Sequence, residues 1–187
     1  TNRSIDEHKA QNMQSVIEAL TSTRQTTAGI SEYPSVSNPD FIYLSTPSGL
    51  LRYDKRSDEW TFASTHPLLQ DSIVHDIGVD EDFIWIATNK GIASATIGSV
   101  EWKVYTSSDG LPDDNVTALA FHSDYVWAGT AKGLPSNEVK GIVRFDKYVE
   151  EWESVQVPEL SKGVSDIAVW GDTVWVVSPA GIFSLDV

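Results

Sequence analysis

The chain has 187 residues, enough for one domain with a sizeable core, and its 41% hydrophobic and 21% charged residues are ordinary for a globular protein. Thirteen Lys and Arg against 27 Asp and Glu leave a net charge of −14, which repels phosphate backbones and anionic lipid and so argues against nucleic acid or a membrane surface as partner. With no cysteine there are no disulfides and no thiolate metal sites, and no apolar run approaches the length of a membrane span.

In chain order, Ser4 and Glu7 read as a capping box, each side chain meeting an orphan amide of a first helical turn. Ala10, Met13, Val16, Ile17 and Leu20 follow with helical period, predicting an amphipathic α-helix over about 5–21. A polar linker runs on to Gly29, so 1–29 is expected to be helix and linker. The stripe Met13, Val16, Ile17 and Leu20 must be buried somewhere, either on the remainder of the protein or as a docking helix in a partner.

From residue 30 onward the pattern is short strands and turns. Phe41-Ile42-Tyr43-Leu44-Ser45-Thr46 is matched by Phe83–Thr88, Tyr125–Thr130 and Thr173–Ser178, so one aromatic position recurs at 43, 85, 127 and 175. A glycine stands six residues after each of these: Gly49, Gly91, Gly133 and Gly181. A period near 40 in strand-forming sequence is the mark of a propeller blade, and four short antiparallel strands make one blade. The expected fold is therefore an all-β propeller of four-stranded antiparallel blades over 30–187, divided at about 30–64, 65–108, 109–157 and 158–187. Pro34 argues against a first strand in the first repeat, because proline cannot donate to a central ladder. The fourth repeat lacks sequence for its fourth strand, which favours an arc of a larger ring over a closed four-bladed one. Trp85, Trp127 and Trp175 are expected to fill contacts between blades, and Trp60, Trp102 and Trp152 to mark the fourth strands.

The stretch Asp109-Gly110-Leu111-Pro112 through Val116-Thr117-Ala118-Leu119, then Val126-Trp127-Ala128-Gly129-Thr130, together with Leu51-Arg52-Tyr53-Asp54 and Val143-Arg144-Phe145-Asp146, resembles the two-component-regulator propeller repeat. The second and fourth repeats lack both the Gly-Leu-Pro element and the Arg-aromatic-Asp strand. The resemblance implies a propeller in a bacterial periplasmic or extracellular setting, where such propellers often serve as ligand-sensing ectodomains. It assigns no catalytic residue, since the repeat residues build the blade.

Two places invite binding. The third repeat carries extra residues over 134–140, an exposed loop in which Ser136, Asn137, Glu138 and Lys140, with Lys132 before it, are candidate contacts for a protein partner, small molecule or glycan. On the first strands, His75-Asp76, Thr117-Ala118 and Ser165-Asp166 correspond between blades, which turns His75, Asp76 and Asp166 toward the central channel. These three side chains are either solvated in a wet channel, a ligand contact, or the acid–base groups of a lyase-like enzyme. Asp80-Glu81-Asp82 and Asp113-Asp114-Asn115 lack the spacing of a dedicated calcium loop. No nucleophile elbow, phosphate loop, dinucleotide fingerprint or zincin helix is present, so no cofactor and no metal is expected. The leading expectation is a non-catalytic binding or scaffold module; the alternatives are a subunit or fragment of a larger assembly and a propeller enzyme.

Overall fold

The computed structural model describes residues 34–46, 49–63, 66, 69, 72–131, 141–157, 160 and 162–186. The predicted helix with Met13, Val16, Ile17 and Leu20, and the loop carrying Lys132, Ser136, Asn137, Glu138 and Lys140, lie outside the described residues.

Among the described residues, fifteen strands form four separate antiparallel sheets in which each strand pairs with its neighbour in sequence. The first blade comprises β1 (Ser35–Ser37), β2 (Phe41–Thr46), β3 (Gly49–Asp54) and β4 (Glu59–Phe62). The second comprises β5 (Val74–Asp80), β6 (Phe83–Thr88), β7 (Gly91–Thr96) and β8 (Lys103–Tyr105). The third holds β9 (Val116–His122), β10 (Tyr125–Thr130), β11 (Ile142–Asp146) and β12 (Glu151–Ser154); the fourth holds β13 (Asp166–Trp170), β14 (Thr173–Ser178) and β15 (Gly181–Asp186).

The first blade corrects the expectation drawn from Pro34. β1 exists and pairs with β2, because Pro34 stands just before the strand and contributes only its carbonyl, which accepts the Ser45 N–H at 3.0 Å. A proline outside the ladder costs no ladder bond.

The repeat residues have local tasks. Asp54 and Asp146 close the β3–β4 and β11–β12 turns by accepting two backbone N–H groups each, from Arg56 and Ser57 and from Tyr148 and Val149. The glycine after each second strand sits at left-handed φ, +119° at Gly49, +123° at Gly91 and +138° at Gly181. In the third blade that register falls to Gly141, whose carbonyl accepts the Thr130 N–H. Glycine adopts such φ without the Cβ penalty of other residues.

Blades stack face to face. Tyr43 shares a buried cluster with Leu69, Val74, Ile77, Ile84 and Ile86 of the second blade. Trp85 does the same with Leu111, Val116, Leu119 and Val126 of the third, and Trp127 with Leu160, Val164, Ile167 and Val174 of the fourth. The aromatic repeat is thus an interblade repeat, each of these three rings sharing a buried cluster with the next blade; Trp85 also packs edge-on against Phe145 and Trp152 of the third blade, and the Tyr43 hydroxyl accepts the Gly98 N–H of the second. Burying one Val, Leu, Ile or Phe is worth about 1.5–3 kcal/mol, so each interface holds a large share of the stability.

The first strands pack in the order β1, β5, β9, β13, and no comparable packing joins β13 back to β1. The described blades form an open arc. Its fourth blade shows the consequence: β6 and β10 are buried on both faces, whereas β14 alternates buried and exposed along its length. Trp175, expected at a blade contact, is instead 42% exposed, and Ile182, which pairs with Val177 on the neighbouring strand, is 69% exposed.

Candidate functional site

The inner wall of the arc is built from β5, β9 and β13. Both β5 and β9 carry a bulge near their start: Val74 pairs with Thr88 and Asp76 with Ala87, while Val116 pairs with Thr130 and Ala118 with Gly129. The extra residues are His75 and Thr117, and a bulge of this kind re-aims the side chains around it. Asp166 takes the register of Asp76, since it pairs with Val177 as Asp76 pairs with Ala87. The predicted correspondence of His75-Asp76, Thr117-Ala118 and Ser165-Asp166 is therefore the one the sheets adopt.

The carboxylate of half-buried Asp76 is engaged on both oxygens. Oδ1 accepts the N–H of Ile77 and Oδ2 accepts the N–H of Leu119 in the next blade, both at 2.8 Å. Burial raises its pKa above the ordinary value, the two N–H donors pull it back, and the nearby charge of Asp166 adds to the rise. Thr117 makes a second interblade link, its Oγ1 donating to the Val164 carbonyl at 2.6 Å. Asp166 is exposed and accepts the N–H of Ile167 at 2.9 Å. His75 is exposed, has no hydrogen-bond partner among the described residues, and has its pKa lowered by partial burial. The wall thus places the three predicted side chains together on the first strands, but Asp76 is taken up in joining two blades. The acidic loops are likewise occupied: Asp113 and Asp114 accept backbone N–H groups, and Asp80 pairs with Lys147 at 2.6 Å.

A second feature lies at the other end of the interface between the second and third blades. A cavity of about 500 Å³ opens there, walled by Phe83, Trp85, Ser94, Tyr105 and Phe145. Its rings form a packed set, with Trp85 stacked on Tyr105 at 6.0 Å and edge-on to Phe145 at 5.3 Å. Four carboxylates (Asp80, Glu81, Glu101 and Glu150) and two lysines line its rim. Both lysines are paired, Lys147 with Asp80 and Lys103 with Glu150 at 2.8 Å, and Lys103 also lies 5.2 Å from the centre of the Tyr105 ring. Glu81 and Glu101 make no ion pair among the described residues. Sequence reasoning missed this cavity as a site. The signal was the departure of the second repeat from the Arg-aromatic-Asp strand.

No family model matches the chain, and no curated protein matches it. Solved structures do. The computationally designed Ika4 protein is 14% identical with a TM-score of 0.63, the match covering 86% of this chain and 94% of that one. The computationally designed Ika8 protein is 13% identical, also at 0.63, with 86% of this chain matched to 48% of that one. The extracellular domain of the hybrid two-component system BT4673 from B. thetaiotaomicron is 19% identical with a TM-score of 0.58, over 82% of this chain and 20% of that one. The chain thus spans nearly all of the first, about half of the second and a fifth of the third. At these identities the similarity is one of fold, and the fold is a β-propeller of four-stranded antiparallel blades.

Proposed function

We propose that the chain is a non-catalytic propeller interaction module, an arc whose fourth blade is completed by a further blade of the same kind. The observation that carries this reading is the one-sided burial of β14 and β15, which leaves Trp175, Val177 and Ile182 exposed where Trp127 and its neighbours are covered. The three described interfaces support this reading, since each such face is covered there by apolar residues of a following blade. A contiguous exposed apolar face on a sheet is an interaction surface. Similarity to the extracellular domain of a bacterial two-component system supports an extracytoplasmic module that senses a ligand or binds a protein partner, and among the described residues no helix is long and apolar enough to cross a membrane. The 134–140 loop, with Lys132 before it, and the first-strand residues His75 and Asp166 remain candidate contacts in that reading.

Sedimentation of the purified chain over a concentration series tests it. Association that rises with concentration and is lost in the Trp175→Asp, Ile182→Asp double variant is the expected result. A wild-type chain that stays monomeric throughout overturns the reading.

A second reading, a small-molecule binder, is favoured by the cavity between the second and third blades. Aromatic walls with a few convergent charges are the usual composition of a ligand site.

A further inference from the structure

In the first and third blades the outer end of the sheet face carries an arginine over an aromatic ring. Arg52 pairs in register with Tyr43, and its Cζ lies 5.1 Å from the centre of the Phe41 ring; Nη1 reaches into the second blade and donates to the Gly98 carbonyl at 2.9 Å. Arg144 pairs with Trp127, its Cζ lies 4.4 Å from the centre of the Tyr125 ring, and Nε donates to Glu153 at 2.9 Å. In the second blade the residue in that register, opposite Trp85, is Ser94, and the ring in the place of Phe41 and Tyr125 is Phe83. Phe83 is 45% exposed, and among the described residues no cation stands over it. The cavity lies between Ser94, Phe83 and the β11–β12 turn of the third blade, which corresponds to the turn that receives Arg52 in the second. It corresponds to the space that Arg52 fills between Phe41 and the Gly98 turn of the following blade.

We propose that this cavity binds a guanidinium group, supplied by an arginine-like ligand, stacked on Phe83 and paired with Glu81 and Glu101. The proposal deepens the small-molecule reading given above and is independent of what covers the fourth blade. Three observations converge. The repeat shows the ring-and-guanidinium arrangement twice, and a planar cation over an aromatic face is favourable. The rim carries more carboxylates than lysines, and the lysines are already paired. The second blade alone, among those with a following blade described, has a short side chain where the arginine stands. A planar guanidinium forks onto a carboxylate in a way that an ammonium does not, so the site discriminates arginine from lysine.

Titration calorimetry of the full chain with L-arginine, L-lysine and the tripeptide Gly-Arg-Gly tests this. Saturable binding of L-arginine, about tenfold or more tighter than L-lysine, is expected. Ser94→Arg restores the neighbouring repeats' residue and should abolish binding while leaving the melting temperature unchanged or raised. Glu101→Gln should weaken binding without loss of fold. If the tripeptide binds and free arginine does not, the guanidinium comes from a protein partner and the arginine-like small ligand is wrong. Equal affinity for arginine and lysine, no saturable binding, or binding that survives Ser94→Arg in a folded variant overturns the proposal. Ser94→Arg leaves the Trp175 face intact, so the sedimentation experiment and this one fail separately.

Discussion

Trp127 and Trp175 hold the same register in successive blades, each opposite an alanine of its first strand, Ala120 and Ala168, yet Trp127 is 1% exposed and Trp175 42%. The difference lies in the neighbour: Trp127 has the fourth blade over it, and no described strand lies over Trp175. Trp127→Ala removes a filled interface and should cost about 3–5 kcal/mol. Trp175→Ala in the monomeric chain should cost within about 1 kcal/mol. Urea denaturation of the two variants, at a concentration where the chain is monomeric, checks the contrast; equal losses would contradict it.

Asp76 gives the fold a pH dependence of defined sign. Its folded pKa lies above the ordinary 3.8, with burial the leading cause. The folded state therefore holds the proton more tightly than the unfolded one, and the group's contribution is present below 3.8 and declines as pH rises through the folded pKa. Asp76→Asn should flatten that decline. The measurement is the difference in unfolding free energy between wild type and variant from pH 3 to pH 7 in steps of about half a unit. Asp54, with its pKa lowered first by the Arg56 N–H and then by that of Ser57, has the opposite sign: its contribution is present above the ordinary value and lost as pH falls through the folded pKa.

Gly91 and Gly181 occupy matching turns but different surroundings. A Cβ at Gly91 would meet the Tyr105 carbonyl oxygen at 2.3 Å, whereas one at Gly181 would meet nothing nearer than Phe183 at 3.9 Å. Gly181→Ala should cost only the left-handed strain, about 1–2 kcal/mol. Gly91→Ala adds a backbone clash and should cost clearly more. Melting temperatures of the two variants give the ranking directly.

Lys147 and Lys103 are both paired across the second interface, but the first pair is largely shielded and the second is open to water. Lys147→Ala strands Asp80 in poorly solvated surroundings and should cost on the order of 2–3 kcal/mol. Lys103→Ala should cost about 0–1 kcal/mol. High salt should narrow only the second of these effects.

The aromatic positions were readable in the sequence because a spacing repeated from blade to blade reports a packing contact repeated from blade to blade. The fate of Trp175 was not, since exposure there depends on what lies beyond the fourth sheet. Pro34 misled because the rule against proline holds inside a ladder, and Pro34 stands immediately before β1 rather than within it. The shared register of Asp76 and Asp166 followed from aligning the first strands, but the engagement of Asp76 by the Leu119 N–H needed the next blade in place. At the cavity, the serine standing where two repeats have arginine was visible in the chain. That this substitution opens a space also required the turn of the third blade, brought alongside by folding.

An arc in which, among the described strands, β13 does not pack on β1 as the successive first strands pack on one another has two ends, and unfolding can begin at either. Each inner blade is held on two sides, while the fourth is held among the described strands only by the third. Opening should therefore proceed inward as a graded fraying, because stability in such arrays is set by nearest-neighbour terms. Amide hydrogen exchange is expected to be slowest in β6 and β10 and fastest in β15, with β14 between them. Whatever molecule caps the fourth blade would erase that gradient at its own end first, so the exchange rates of β14 and β15 can report its arrival.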